Sequence, residues 1–195
     1  GEVFRKSPYK DRRFFAVSVL QCAFAVVFFQ LLSTLPLFYK EVYGLSEGSV
    51  GLLMALNGFV VFALEMILVY ILGRMYSTRV LVVVGVLLTG ASLAALNVYH
   101  HAGVLILSMV GLSVAEILVM PFLAAWVVER SEGGSRGAYM GMLTMSYSVA
   151  ITIAPLIGTF IAGKAGYAVL WYAMGGLAVL SAAGFYKVMQ EHAAD

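Results

Sequence analysis

Apolar and polar residues come in blocks along this chain, not in residue-by-residue alternation. Six apolar blocks lie at about 14–38, 50–72, 80–98, 104–128, 138–162 and 167–188. Each is near the roughly 20 residues a helix needs to cross about 30 Å of hydrocarbon. Backbone groups in lipid must be satisfied within the segment, so the blocks read as helices. The polar joints KEVYGLSEG, GRMYSTR, NVYHHAG, ERSEGGSRG and GKAGY are short. Pro36 marks the place where the first helix begins to end, and Ser46, Glu47 and Ser49 supply capping chemistry for the second. The expected architecture is an all-α membrane protein of six transmembrane helices. It has a lead-in at 1–13, a six-helix domain at 14–188 and a tail at 189–195.

Composition makes lipid the solvent. The chain is 62% hydrophobic and 11% charged, against about 45–50% and 25% in a soluble domain. Mean hydropathy is +0.96. This implies an integral, multi-pass protein with the lipid bilayer as a partner. A net charge of +2 argues against nucleic acid. The single cysteine, Cys22, excludes a disulfide framework and reads as a small core residue. The chain opens on Gly, and its first apolar run has spanning length without a small-residue cleavage site. The expectation is that it begins partway through a longer protein, or carries an added residue at Gly1.

Charge then orients the spans. Arg5, Lys6, Lys10, Arg12, Arg13, Arg74, Arg79, Arg130, Arg136 and Lys187 fall on one side, ten in all, and Lys40 and Lys164 on the other. By the positive-inside rule both termini are expected to be cytoplasmic, which requires an even number of spans, and six satisfies it. Small residues are frequent in the third span (Gly85, Gly90, Ala91, Ser92) and the sixth (Gly175, Gly176, Ala178, Ser181). They let helix backbones approach closely, within one bundle or across a dimer face.

A few polar residues inside the spans are the candidates for chemistry. Glu116 is the foremost. A carboxylate at mid-membrane must be paired, hydrated or protonated. Ser113 lies one turn before it on the same helix face, and Pro121 frees the carbonyl of Ile117, where a kink would open a cavity. Glu116 reads as a proton carrier or as a structural carboxyl bonded to a neighbouring helix. Glu65 is the second acid, a proton-coupling candidate or an anchor to an arginine at the cytoplasmic face. Asn57 lies within about 80° of it on the helical wheel, nearer mid-membrane. In the first span Gln30, Ser33 and Thr34 share a face while Gln21 points away, so Gln30 is the cavity candidate. In the fifth span Gly141, Thr144, Ser148, Thr152 and Pro155 form one small, polar stripe flanked by Tyr147. Such a stripe lines water or packs on a neighbour.

Enzyme chemistries fail on inspection. The serine context at 111–115 lacks a histidine in a facing span, because His100, His101 and His192 sit in a loop and the tail. No metal cluster, phosphate loop or thiol pair occurs, and no cofactor is expected.

Taken together, the chain resembles the C-terminal half of a major facilitator superfamily transporter. Residues 28–58, FFQLLSTLPLFYKEVYGLSEGSVGLLMALNG, look like that family's seventh helix, outer loop and eighth helix. Arg136-Gly137-Ala138-Tyr139-Met140-Gly141 resembles the RGxxxG start of its eleventh helix. Ala154-Pro155-Leu156-Ile157-Gly158-Thr159 is similar to its GPxxGG-type stretch, with Ala for the first Gly and Thr for the last. The loop from Gly73 to Arg79 is a degenerate form of its cytoplasmic signature. It keeps Arg74 and Arg79 and lacks the acid and the terminal basic pair.

The resemblance implies a six-helix half bundle, with the other half, or a second copy, as partner. It also implies a midplane site for a small-molecule substrate and places Pro121, Pro155 and Gly158 in gating or packing. The aromatic and Met-rich spans suit adaptable apolar binding, so proton-coupled efflux of drug-like compounds across the cell membrane is the leading expectation. Proton-coupled peptide or other solute uptake is the alternative. A non-transporting membrane scaffold or assembly subunit is the reading from another class.

Overall fold

The computed structural model describes residues 8–98, 101–131 and 136–190. Arg5, Lys6, His100 and His192 of the sequence reading lie outside the described residues. Among the described residues seven α-helices form six spans. They are α1 (Arg12–Phe28), α2 (Thr34–Glu41), α3 (Glu47–Met75), α4 (Thr78–Ala94), α5 (Ala102–Arg130), α6 (Arg136–Ala165) and α7 (Tyr167–Val188). Capping sets the starts. Asp11 accepts a hydrogen bond from the Phe14 amide ahead of α1, and Ser46 accepts one from the Ser49 amide ahead of α3. Gly166 joins α6 to α7 at φ 87°, a left-handed turn that a side chain would strain.

The first span corrects the expectation that Pro36 begins its end. The span runs from Arg12 to Glu41 and is broken at mid-length, where a 3-10 turn at Phe29–Leu31 separates α1 from α2. Pro36 is the third residue of α2. A proline there lacks an amide the first helical turn would leave unpaired anyway, so it suits a helix start. Pro121 likewise does not interrupt α5, which continues from Ala102 to Arg130.

α4, α5 and α7 pack closely, and α1 lies across α6 and α7. Ser108 donates to the Ser92 carbonyl at 2.7 Å, tying α5 to α4. Gly90 of α4 lies against Gly175 and Ala178 of α7. α3 leans on α5 and on little else: of its residues only Val50 and Val60 are buried.

The start of α1 and the end of α7 meet at one end of the bundle. Arg13 donates from Nε to the Val188 carbonyl at 2.5 Å and also bonds the Gln190 carbonyl. Beside them Arg130 grips Asp11 with two hydrogen bonds of 2.8 Å, and the Tyr139 hydroxyl bonds Asp11 at 3.3 Å. Burial alone would raise the Asp11 carboxyl. The Arg130 guanidinium, the Phe14 amide and the Tyr139 hydroxyl outweigh it and hold Asp11 below its ordinary value. At the opposite end Lys40 pairs with Glu47 at 3.0 Å and the Tyr167 hydroxyl donates to Glu41 at 2.7 Å.

Candidate functional site

Four helices leave a cavity of about 310 Å³ between them at mid-span. The break after α1 supplies Phe28, Phe29, Leu31 and Leu32 to one wall. Asn57 comes from α3, Glu116 and Met120 from α5, and Tyr147 from α6. Phe29 and Tyr147 meet edge to face at 6.2 Å between ring centroids. The lining is therefore apolar and aromatic, with one carboxyl, one amide and one phenol.

Glu116 stands half-buried in this wall. Asn57 Nδ2 donates to its Oε2 at 3.3 Å and to Ser113 Oγ at 3.0 Å. The Ser113 hydroxyl in turn donates to the Met109 carbonyl at 2.8 Å. One amide from α3 thus ties together a serine and a glutamate one helical turn apart on α5. Glu65, further along α3, lies within electrostatic range of Glu116. Among the described residues no lysine, arginine or histidine lines the cavity. Arg74, the nearest base along α3, turns instead to Tyr70, donating to its hydroxyl at 2.7 Å and lying 4.6 Å from its ring centroid. Arg79 lies over the Tyr186 ring, and Arg136 is exposed at the start of α6.

Several expected cavity residues sit elsewhere. Gln30 is fully buried in the joint between the first and fifth spans and does not line the cavity. Its Nε2 donates to the Val26 and Ala154 carbonyls at 3.2 and 3.0 Å, and its Oε1 accepts from Thr34 at 2.6 Å. The reason is close approach. Gly158 has no side chain, and a Cβ there would run into Gln30 Oε1 and Thr34 Oγ1. Gly158, four residues after Ala154 and three after Pro155, therefore opens the space in which Gln30 reaches across. Thr144 and Ser148 are exposed on α6 and turn away from the cavity. The buried residues of α6 are Tyr139, Leu143, Ser146, Ala150, Ala154 and Gly158, and the polar stripe occupies another face. Thr144 and Thr152 bond back to the carbonyls of Met140 and Ser148.

Three features were missed. Asp11 was counted as part of a basic lead-in, although an Asp directly before an apolar run is a helix-cap signal. Phe28 and Phe29, in the lining, were not among the candidates. Gln21, set aside as pointing away, is fully buried, and its amide atoms make no well-formed hydrogen bond although the Tyr147 hydroxyl is near.

A comparison with curated proteins finds no match. A comparison with family profiles matches residues 6–194 to the Major Facilitator Superfamily. That match covers nearly the whole chain, and the six apolar spans have the architecture of half such a transporter. Proteins of this family are transporters rather than enzymes. The chain is an integral, multi-pass membrane protein and belongs to the Major Facilitator Superfamily.

Proposed function

We propose that this chain is half of a secondary transporter that moves a small molecule by alternating access, with a proton bound at Glu116 biasing the exchange between states. The observation that carries the reading is Glu116 itself. It is an acid on the wall of a mid-span cavity, held by Asn57 and left without a cationic partner among the described residues. An unpaired charge at such a depth is costly, so this carboxyl favours taking up a proton or a positive ligand. The apolar, aromatic lining supports efflux of drug-like compounds over uptake of sugars. Basic residues concentrate on the end where α1 starts and α7 ends, which supports a cytoplasmic face there and residence in the cell membrane. The exposed faces of α3 and α6 are where the other six-helix half, or a second copy, docks.

The test is gradient-driven flux in proteoliposomes. Glu116→Gln keeps an oxygen for the Asn57 amide but cannot ionise. It is expected to abolish flux driven by a pH gradient while the protein still inserts and folds. Full flux across the pH range in that variant would remove Glu116 from coupling. A change in melting temperature without a change in flux would favour the scaffold reading, in which the Asn57–Glu116 bond only joins α3 to α5.

A further inference from the structure

The cavity's charge balance says more about its ligand than its size does. Its polar lining is the Glu116 carboxyl, the Asn57 amide and the Tyr147 phenol. The amide is already committed, donating to both Ser113 and Glu116. A second acid, Glu65 of α3, lies outside the lining but within electrostatic range of Glu116. No base among the described lining residues offsets Glu116. Opposite them stand the faces and edges of Phe28, Phe29 and Tyr147, with Phe29 held edge to face on Tyr147. Aromatic faces attract a cation and repel an anion. Met120 adds a soft, adaptable surface to the same wall.

We infer that the cavity takes a lipophilic organic cation, whose positive charge replaces the proton on Glu116. The inference rests on the transporter reading above and narrows it from a small molecule to one sign of charge and one mode of coupling. In the step the Glu116 O–H bond breaks, a water oxygen forms a new O–H bond with the departing proton, and the carboxylate is left facing the incoming cation. No further covalent bond forms or breaks. Proton and ligand then compete for one carboxylate, so each expels the other, and the coupling is exchange instead of co-transport. An anionic ligand would meet the Glu116 carboxyl and no lining base, and a sugar would find few polar groups on an apolar, aromatic wall.

The groups facing Glu116 are few. α3 contributes Asn57 and the acid Glu65, α6 contributes Tyr147, and the first span contributes only apolar and aromatic residues to the lining. α4 packs on α5 through Gly85 and Ser92, and its base, Arg79, is engaged with Tyr186. Glu65 and Tyr147 are therefore the titratable neighbours able to share the response to pH.

The experiment uses tetraphenylphosphonium and tetraphenylborate, ions of matched size and opposite charge. Binding to the purified protein, expressed from its native reading frame, is measured in weak buffer between pH 6 and 8. The phosphonium is expected to bind and, at each pH, to release a proton in the fraction of molecules whose Glu116 is protonated, up to one per ion. Where Glu116 is protonated, its affinity should fall about tenfold per pH unit. The borate is expected not to bind. Glu116→Gln should weaken phosphonium binding at least tenfold and remove its pH dependence. Phe29→Leu, which keeps the charge and the apolar wall, should weaken it about threefold. The wild-type pH series needs no variant, so a misfolded Glu116→Gln does not spare the inference.

Equal binding of the two ions overturns it, as does phosphonium binding that ignores both pH and Glu116→Gln. Proton-driven flux of a neutral or anionic probe, lost in Glu116→Gln, overturns the cation assignment and leaves the transporter reading standing. Phosphonium binding with proton release, but with no gradient-driven flux of either ion in proteoliposomes, upholds the cation site and overturns the transporter reading.

Discussion

α3 and α4 are equally apolar and unequally buried. Their mean hydropathies are 2.3 and 2.2, yet none of the most apolar stretch of α3 is buried and half of that of α4 is. Their glycines tell the two apart. A Cβ on Gly85 would come within 2.6 Å of Val119 and 2.8 Å of Leu118, and one on Gly90 within 2.6 Å of Ala178. Gly51 and Gly58 of α3 face open space, as do Gly137, Gly141 and Gly163 of α6. Among the described residues α4 is packed against α5 and α7, and the outer faces of α3 and α6 are open. In lipid, hydropathy measures only transfer from water. Which faces touch protein is decided by close packing of small residues and by hydrogen bonds.

The largest expected effect breaks that contrast directly. Gly90→Leu places a branched side chain where α4 meets Gly175 and Ala178, and the two helices must separate. Overpacking of this kind costs about 1–3 kcal/mol. Loss of the Gly90 approach along the crossing is expected to put the variant at or above the top of that range. Gly58→Leu makes the same change on the open side and is expected to leave the melting temperature nearly unchanged. Equal losses in detergent-solubilised protein would mean that α3 is packed as tightly as α4.

Next comes the joint between the first and fifth spans. Gly158→Ala pushes a methyl group into Gln30 and Thr34 and opens the Gln30–Ala154 bond. Leaving a buried amide unpaired costs about 1–3 kcal/mol. Gly158→Ala combined with Gln30→Leu removes the orphaned amide as well as the bond. It should regain part of the loss in thermal unfolding. No recovery would show that the clash, and not the amide, sets the cost.

What could be read ahead of the structure was decided by chemistry that is local along the chain. The six spans followed from block length, and Asn57, Ser113, Glu116 and Tyr147 stood out because polar groups in hydrocarbon need partners. Spacing showed that Thr144 and Ser148 share a face, but not what that face meets, since periodicity fixes relative angles and leaves the rotation of the whole helix free. Gln30 failed for a related reason: its partner carbonyl lies 124 residues away, and only the missing side chain at Gly158 makes room for it. The break after α1 was hidden because Phe29, Gln30 and Leu31 are compatible with helix. Pro36 was legible as a helix terminus, but the sequence does not say which of two helices it belongs to.

The smaller effects belong to the end where α1 starts and α7 ends. Asp11→Asn should cost about 2 kcal/mol, since the Arg130 guanidinium loses a charged acceptor on a partly buried site. The pH dependence has a definite sign. The folded Asp11 carboxyl sits below its ordinary value of 3.8, so its stabilisation is present above that value and is lost as pH falls below it. The stability gap between wild type and Asp11→Asn should therefore be constant from pH 7 to pH 5 and shrink toward pH 3. A gap that persists at pH 3 would mean that hydrogen bonding to Tyr139 and Phe14, not charge, holds the joint.

The smallest effect is the most direct test of the open side. Gly58→Ala and Gly141→Ala meet no neighbour in this chain. Each replaces the residue that, proline aside, most weakens a helix interior, so each should be neutral or stabilising by up to about 1 kcal/mol. In lipid the gain is smaller, because a glycine already inside a span has few alternatives to helix. The melting temperature is thus expected to hold or rise slightly. The outcome to look for is a loss. A methyl group is too small to disturb lipid or a water-filled pathway, so a drop of more than about 1 kcal/mol would need a backbone pressed against Gly58 or Gly141. That would mark the exposed faces of α3 and α6 as a tight helix–helix seam, and the polar stripe through Thr144 and Ser148 as packing.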